Sequence, residues 1–323
     1  MFVQWEAPVE VTRPYPIVLI HGGGGQGLDY LGTPDGRPGW ADLLLAAGWV
    51  VYVVDRPGHG RSPYIPEALG VPGPPLPLEV LGGIFRPSAD GPGAVPFANL
   101  HTQWPGDRND PGDPAWLQFL ASGGPFAADP MARQALEQTR LCQLLDRIGP
   151  AFVVGNSLGG PAAFLLAEAR PHLVVGLAQL EPVGPAFSPM FGPGTLQWGV
   201  AAVPMMFDPP AASPADLDLV DGPPVAPGLA PVSMQREPAR RLANLAQVPI
   251  AVFSSEASVF RATDGALVAF LQQAGCDAVH IDLAEHGVRG NSHGAMFERN
   301  NAEVLAVVTN WMATLIDSEI ASS

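Results

Sequence analysis

The sequence predicts an α/β fold in which a mostly parallel sheet is covered by helices on both faces. Several short runs, such as 16–20, 49–54 and 151–154, are almost wholly apolar, which is typical of strands buried on both faces. Segments with the apolar spacing of helices separate these runs, and such alternation indicates parallel pairing. The chain has 323 residues, of which 47% are hydrophobic, so it is long enough for one large domain with insertions.

The first part of the chain contains two predicted strands, 16–20 and 49–54, separated by a helix over 40–47. Helical and strand periodicity then disappears from residue 63 to about residue 113, where Pro and Gly are frequent. A structureless stretch of this length is too long for an ordinary connection. We therefore expect it to pass over the sheet as an insertion, with a helical patch near 115–122.

The remaining chain returns to regular alternation, interrupted by one further irregular and apolar region over 182–237. The core is assigned to 1–62, 129–181 and 239–323, and a cap to the insertions 63–128 and 182–238. The predicted elements after the first insertion are helices over 130–148, 161–169, 262–274 and 295–316, and strands over 151–154, 173–180, 249–254 and 278–283.

Composition excludes several classes of function. The net charge is −15 and all 16 basic residues are Arg, which argues against nucleic acid or an anionic membrane as a partner. Cys142 and Cys276 lie in apolar helical contexts and are expected to be buried thiols. We expect a soluble, cytoplasmic protein, because the N-terminus lacks a signal-peptide pattern and no apolar run reaches transmembrane length, although a removed signal peptide stays open. The oligomeric state is not indicated.

The segment 153–160, Val-Val-Gly-Asn-Ser-Leu-Gly-Gly, joins a predicted strand to a predicted helix. It contains Gly-x-Ser-x-Gly, in which glycines permit a tight turn and close helix–strand packing. Such a turn holds the hydroxyl of Ser157 clear of the backbone at the carboxyl end of the strand. Ser157 is therefore the candidate nucleophile; the alternative is an ordinary serine in a Gly-rich turn.

A serine nucleophile requires a base, which in an open parallel sheet comes from a loop at the carboxyl ends of the strands. His293 lies after the last predicted strand and directly before the last helix, so it is the first candidate. His286, in the same loop, is the alternative. The remaining histidines are expected to have other roles. His172 and His280, which lie just before or within strands, are expected to be structural, and His21 and His59 to shape their turns. His101 is expected to contact the substrate.

Two carboxylates at strand ends are candidates for the acid that orients the base. Glu181 follows the strand that comes after the nucleophile's helix, and Glu256 follows the next predicted strand along the chain. Glu181 is preferred and Glu256 is the alternative. Asp55 also ends a strand, but on the far side of the nucleophile strand, where it is expected to organise its own turn.

An oxyanion hole requires two backbone donors. The N–H of Leu158, at the start of the helix after Ser157, is one candidate. The second is expected in the glycine run that follows His21, with Gly23 preferred and Gly24 possible in its place. This run is not followed by Lys, which argues against a phosphate loop. No His, Cys, Asp or Glu cluster has metal-ligand spacing, so no metal and no cofactor is expected.

Together these motifs resemble the α/β-hydrolase superfamily. The resemblance is carried by His21-Gly22-Gly23, by Asp55-x-x-Gly58-x-Gly60-x-Ser62, by Gly155-Asn156-Ser157-Leu158-Gly159 and by His293 before the last helix. Three stretches, 33–40, 181–182 and 286–301, are similar to a small group of atypical bacterial esterases with a Ser–Glu–His triad. That resemblance implies Glu181 as the acid, whereas the usual placement in the superfamily implies Glu256.

The expected activity is hydrolysis of a carboxylic ester through an acyl-enzyme. A lactonase or amidase with the same triad is the alternative, and a non-catalytic ligand-binding relative is a third possibility. Apolar residues of the second insertion favour a hydrophobic or aromatic ester, or a lactone, as the small-molecule partner; the same residues would otherwise form a satellite core. The residues predicted to line the pocket are Met190, Phe191, Trp198, Met205 and Met206.

Overall fold

A seven-stranded sheet lies at the centre of the computed structural model. The structure describes residues 1–90, 95–125, 127–224 and 232–322; the parts of the two predicted insertions at 91–94, 126 and 225–231, and residue 323, lie outside the described residues. Eleven strands occur in the described ranges: β1 (Phe2–Glu6), β2 (Ile17–Ile20), β3 (Val51–Asp55), β4 (Ala151–Asn156), β5 (Val174–Leu180), β6 (Phe207–Asp208), β7 (Leu219–Gly222), β8 (Val232–Gln235), β9 (Arg241–Leu242), β10 (Ile250–Ser254) and β11 (Ala278–Asp282).

The central sheet has the order β1–β3–β2–β4–β5–β10–β11, and β1 alone runs antiparallel to its neighbour. Nine α-helices occur in the same part of the chain: α1 (Leu28–Leu31), α2 (Trp40–Ala46), α3 (Pro66–Leu69), α4 (Leu78–Phe85), α5 (Pro114–Ser122), α6 (Pro130–Ile148), α7 (Gly159–Ala169), α8 (Arg261–Gln273) and α9 (Asn301–Ser322). None of these helices is both long and apolar enough to cross a membrane.

Each face of the sheet carries its own apolar core, and helices cover both. Val153 of β4 packs with residues of α6, α7 and α8 on one face. Its neighbours Phe152 and Val154 point the other way and pack with residues of α2 and α9, as the two-residue period of a strand requires. Every residue of β4 is buried. The predicted α/β fold, a mostly parallel sheet with helices on both faces, is therefore confirmed.

Two helices begin at an Asp-Pro pair, which explains where regular structure resumes after the first insertion. The Asp129 carboxylate accepts hydrogen bonds from the N–H groups of Met131 (2.9 Å) and Ala132 (3.2 Å) at the start of α6. Pro130 occupies the first helical position, where no N–H is needed. Gly149 ends α6 with φ of 82°, a conformation that favours glycine.

Among the elements that differ from the sequence prediction are β1, α4 and the last helix. β1 was not predicted because it is an edge strand with no buried residue, which leaves little apolar signal. α4 occupies part of the stretch predicted to be irregular, and it also buries no residue. The last helix begins at Asn301 rather than at residue 295, because residues 294–300 form turns that bury Met296 and Phe297 instead.

The close packing of α7 against the end of β2 gives a stability test. A Cβ at Gly159 would overlap the backbone oxygen of His21 and lie 2.9 Å from that of Ile20. We expect Gly159→Ala to lower the free energy of unfolding by about 1–3 kcal/mol, because backbone must shift to admit the methyl group. Urea unfolding followed by circular dichroism measures this.

Gly82→Ala is the matched control, since nothing lies within 4 Å of a Cβ at this position in α4. Alanine has the higher helix propensity, by up to about 1 kcal/mol, so this variant should be as stable as the parent or slightly more stable. Equal unfolding midpoints for Gly159→Ala and the parent would contradict the packing argument.

Candidate active site

Ser157 occupies a tight turn between β4 and α7. Its φ is +51°, in the left-handed region that residues other than glycine rarely adopt. The backbone oxygen of Ser157 accepts hydrogen bonds from the N–H of Gly160 (2.9 Å) and of Val183 (3.1 Å). A Cβ at Gly155 would lie 2.6 Å from Oε1 of Gln179, so the turn requires glycine there. These contacts fix the serine at the carboxyl end of the central strand.

His293 is held in one orientation beside this turn. Its Nδ1 lies 2.6 Å from Oε2 of Glu181, and both side chains are 1% exposed. The imidazole lies between two aromatic rings, with centroid distances of 4.4 Å to Phe260 and 5.4 Å to Phe85. His293 and Ser157 line the same cavity. In the described structure these two side chains form no hydrogen bond with each other. The ring is therefore fixed, with Nε2 left for a group in that cavity.

Glu181 is a fully buried carboxylate at the end of β5. Besides His293, it accepts hydrogen bonds from the N–H of Ser255 (2.6 Å) and from the hydroxyl of Ser258 (2.8 Å). Its φ of +46° turns the chain sharply. Three donors satisfy a carboxylate whose burial would otherwise be very costly, and they hold it against Nδ1 of the imidazole.

Glu256, the alternative acid, has other partners. One of its oxygens accepts a hydrogen bond from the Arg289 guanidinium (2.7 Å) and the other from the N–H of Gly290 (3.0 Å). Both partners belong to the loop that leads to His293. Glu256 therefore holds this loop in place, whereas the carboxylate in contact with the imidazole is that of Glu181.

A second buried acid behind Glu181 was not singled out in the sequence. Asp264 of α8 is fully buried, and its Oδ2 accepts a hydrogen bond from the Ser254 hydroxyl at 2.5 Å. Burial, and then the charge of Glu181, raise the pKa of Asp264 well above its usual range. His280 lies against the same Ser254 hydroxyl at 2.8 Å, a structural position, as predicted from its place in the last strand.

Glu298 organises the chain on either side of His293. Its carboxylate accepts hydrogen bonds from Ser292 (hydroxyl, 2.7 Å; N–H, 3.1 Å) and from the side-chain amide of Asn291 (2.9 Å). It also lies 2.8 Å from Nε2 of His101, which the sequence had suggested as a substrate contact. His101 is absent from the cavity wall as described and instead links the first insertion to this loop. The sequence signal for this cluster is a run of polar residues, Asn-Ser before His293 and Glu-Arg-Asn after it, within an apolar context.

The glycine run after β2 approaches the serine turn closely. A Cβ at Gly23 would overlap the side chain of Leu158, and one at Gly22 would lie 2.7 Å from Oδ1 of Asn156. Gly24 adopts φ of +68°, and its backbone oxygen accepts a hydrogen bond from the N–H of Gly124 at 2.8 Å. Leu158 has helical φ and ψ at the start of α7. Gly23, Gly24 and Leu158 all line the cavity that contains Ser157, which is where backbone donors for an oxyanion are needed.

Two histidines and a buried ion pair lie close to the glycine run and hold its backbone in place. The Arg56 guanidinium donates to the Gly22 oxygen (2.6 Å) and forms a buried ion pair with Glu137 of α6 (2.6 Å). His21 Nδ1 lies 2.8 Å from the same Gly22 oxygen, and Nε2 accepts from the N–H of Arg56 at 3.0 Å. The Nδ1 of His59 lies 3.1 Å from the Pro57 oxygen. Both histidines thus shape turns, as predicted.

Burial and the nearby Arg56 charge lower the pKa of these two histidines. The pKa of His21 falls well below its usual range and that of His59 falls to about 3. Both are therefore neutral at neutral pH, which suits the acceptor role of His21 towards the Arg56 N–H.

The cavity above Ser157 has a volume of about 390 Å³. Its wall comes mainly from the first insertion and from the turn before α9. Residues of apolar character that line it are Pro75, Leu76, Pro77, Leu78, Leu81, Ile84, Phe85, Phe119, Leu120, Leu158, Phe191, Met296 and Phe297.

Only one of the five residues predicted to line the pocket lies on the described wall, namely Phe191. Trp198 and Met205 are buried in the core that covers one face of the sheet. Met190 packs against a small cluster around Leu158, and Met206 is 58% exposed. The prediction was wrong for these four residues because apolar character does not distinguish a cavity wall from a satellite core.

The chain is similar to known proteins over most of its length. The sequence model of the α/β hydrolase fold family matches residues 15–202. A protein named probable secreted lipase phiG, from Fungal sp. (strain ATCC 74256), is 37% identical over 317 residues, which are 97% of this chain and 85% of that protein. A structure described as a novel bacterial esterase has a TM-score of 0.63 at 22% identity, and the match covers 97% of this chain and 84% of that one.

The neutral His59 predicts an acid-sensitive contribution to stability. The unfolded chain binds a proton at this histidine near pH 6.5, whereas the folded protein does so only near pH 3. The contribution of His59 to the free energy of unfolding is therefore fully present above pH 6.5. Below that pH it decreases by about 1.4 kcal/mol per pH unit. His59→Asn, which keeps a donor for the Pro57 oxygen, should lose less stability on acidification than the parent.

Urea unfolding at several pH values between 7.5 and 4.5 tests this difference. The comparison between variant and parent removes the opposite contributions of acids whose pKa is raised, such as Asp264. His172→Asn is the control, because that side chain is exposed and its removal should change stability little. A constant difference between parent and His59→Asn across the range would contradict the prediction.

Proposed function

This chain belongs to the α/β-hydrolase superfamily and is a hydrolase of the lipase and esterase type, and on this basis we propose that it cleaves carboxylic esters of hydrophobic or aromatic substrates through an acyl-enzyme. The observation that carries the proposal is the 2.6 Å hydrogen bond between His293 and the buried Glu181 beside a serine in a strained turn. A serine, and a histidine oriented by a carboxylate and lining the same cavity as that serine, are the groups that acyl transfer requires.

In the first half of the reaction, Ser157 Oγ attacks the ester carbonyl carbon while His293 Nε2 takes the hydroxyl proton. By accepting from Nδ1, Glu181 fixes the tautomer of the neutral imidazole and then stabilises the imidazolium that forms. The bond that Nε2 needs with Ser157 is absent in the free protein, as is common before substrate binds. The imidazolium then gives its proton to the departing alcohol as the carbon–oxygen bond breaks.

We assign the stabilisation of the negative charge on the carbonyl oxygen to the backbone N–H groups of Gly23 and Leu158. Leu158 supplies its N–H at the start of α7, where the helix dipole also favours negative charge. Gly23 approaches closely enough because it carries no side chain. Gly24 remains the alternative donor, since it lines the same cavity. In the second half of the reaction, water attacks the acyl carbon while His293 takes one of its protons. The imidazolium then returns this proton to Ser157 Oγ as the bond between Oγ and the acyl carbon breaks and the carboxylic acid leaves.

The substrate class follows from the cavity. Its wall is largely aromatic and aliphatic, and its volume of about 390 Å³ suits an ester of modest size. Lactones and amides present the same carbonyl to the same groups. Product masses from a panel of matched esters, lactones and amides distinguish these reactions, and the proposal requires the esters to be turned over fastest.

Ser157→Ala should lower kcat by about 10⁴-fold or more, because it removes the attacking oxygen. The parent should also be labelled at Ser157 by a serine-directed phosphonate, with loss of activity in proportion to labelling. Labelling is read by mass spectrometry of the digested protein. If the protein is active but Ser157 is not labelled, the assignment of the nucleophile is wrong. If the protein is inactive and unlabelled, a ligand-binding role is favoured.

The two glutamates give a matched test of the acid. Glu181→Gln should lower kcat by about 10³–10⁴-fold, since the amide no longer stabilises the imidazolium. Glu256→Gln should cost less than about 10-fold, because this side chain holds Arg289 and Gly290 rather than the imidazole. Steady-state kinetics on one ester and unfolding curves for both variants separate catalysis from stability. A severe loss in Glu256→Gln alone would reverse the assignment.

A further inference from the structure

One carboxyl group in the wall of the cavity has no role in the reaction described above. Asp29 of α1 lines the cavity next to the glycine run, and it is the only acid among the described lining residues. Its carboxylate stands so close to Gly25 that a Cβ there would overlap it. No basic side chain forms a salt bridge with it in the described part of the chain. An acid in a largely apolar wall is therefore available to a ligand.

Outside the reacting groups, the donors of the other polar side chains of this wall are already used. The Ser122 hydroxyl donates to the Phe119 oxygen (2.7 Å), and the Asn156 amide donates to the Leu180 oxygen (3.0 Å). Ser157 and His293 belong to the reaction. Asp29 is thus the group in the described wall that can give a substrate a polar anchor away from the reacting bond.

A second, smaller cavity lies on the other side of Asp29. It has a volume of about 210 Å³ and shares four wall residues with the main cavity, namely Asp29, Phe119, Ser122 and Phe297. Its wall also includes the polar side chains of Thr33 and Gln118. The carboxyl group consequently stands where an apolar space meets a more polar one.

Resting on the proposed esterase function, we propose that Asp29 is a specificity residue that binds a free hydroxyl group of the substrate, so that the preferred substrates are amphiphilic hydroxy-esters. The apolar part of such an ester fills the main cavity, and its hydroxyl faces Asp29 at the boundary with the smaller one. The hydroxyl lies in either half of the ester, the acyl chain or the alcohol.

A hydroxyl fits this position better than an ammonium group. Burial raises the pKa of Asp29 to about 7, an effect that the Gln26 N–H and Arg56 oppose and that Asp55 reinforces. Near neutral pH the group is thus present both as a carboxylate, which accepts a hydrogen bond, and as a carboxylic acid, which also donates one. A hydroxyl can pair with both forms, whereas an ammonium group needs the charged form and pays a large desolvation cost in an apolar cavity.

The experiment compares kcat/KM for ethyl hexanoate with a series of ethyl hydroxyhexanoates, and for hexyl acetate with a series of hexanediol monoacetates. The parent should prefer at least one hydroxylated ester by about ten-fold, the size of one hydrogen bond to a charged acceptor. Asp29→Leu should abolish that preference while leaving kcat/KM for the plain ester equal or higher. Asp29→Asn, which still accepts a hydrogen bond, should fall between them.

Asp42→Asn is the control, because Asp42 is an exposed acid in the first turn of α2. It should keep the preference of the parent. Equal losses on plain and hydroxylated esters in Asp29→Leu would show a structural role and overturn the proposal. So would an unchanged preference in that variant.

A binding measurement separates this proposal from the proposed reaction. Hexan-1-ol and 1-methoxyhexane, which has no free hydroxyl, are titrated by calorimetry into the parent and into Asp29→Leu. Hexan-1-ol should lose about ten-fold in affinity in the variant while 1-methoxyhexane does not, and this result supports the site even if no ester is hydrolysed. Equal affinities of hexan-1-ol for the two proteins would overturn it.

Discussion

The contact on which the site depends is the hydrogen bond between Nδ1 of His293 and the carboxylate of Glu181. It joins the end of β5 to the turn before α9, segments 112 residues apart in the chain. β10 lies beside β5 in the sheet, so the loop after it can supply Ser255 and Ser258 to the same carboxylate. A fully buried carboxylate is stable only where such donors meet it. The sheet order therefore brings the donors that a buried Glu181 requires to the end of β5.

Buried acids hold the surrounding loops in the same way. Glu298 links His101 of the first insertion to the residues before His293, and Glu137 pairs with Arg56 under the glycine run. Asp55 accepts hydrogen bonds from the N–H of Gly27 (2.6 Å) and from Arg61 (2.7 Å), which ties the turn after β3 to the segment before α1. From the sequence, the acidic composition served only to argue against nucleic acid and anionic membranes as partners. In the structure, part of it forms interior connections between segments that are distant in the chain.

The sequence was informative where structure is local. The strand, the turn and the helix around Ser157 follow from the spacing of glycines and apolar residues. The sequence favoured Glu181 over Glu256 but left both open, because both follow a strand and the contact with the imidazole depends on how loops distant in the chain fold together. The cavity wall was misjudged for the same reason. Trp198 and Met205 fill a core, whereas the wall comes from 75–85, where the sequence showed no regular pattern.

The first insertion contributes to the orientation of the base as well as to the cavity. Phe85 at the end of α4 lines the cavity and contacts both His293 (5.4 Å) and Phe119 (4.5 Å). Its backbone oxygen lies 2.8 Å from the hydroxyl of Ser292, which Glu298 also binds. A substrate that displaces Phe85 therefore acts on the residue next to the base. Leu81 and Phe85 of α4 also pack against the apolar core that contains residues of α2 and α9, so the cavity wall and the position of the imidazole are coupled through these contacts.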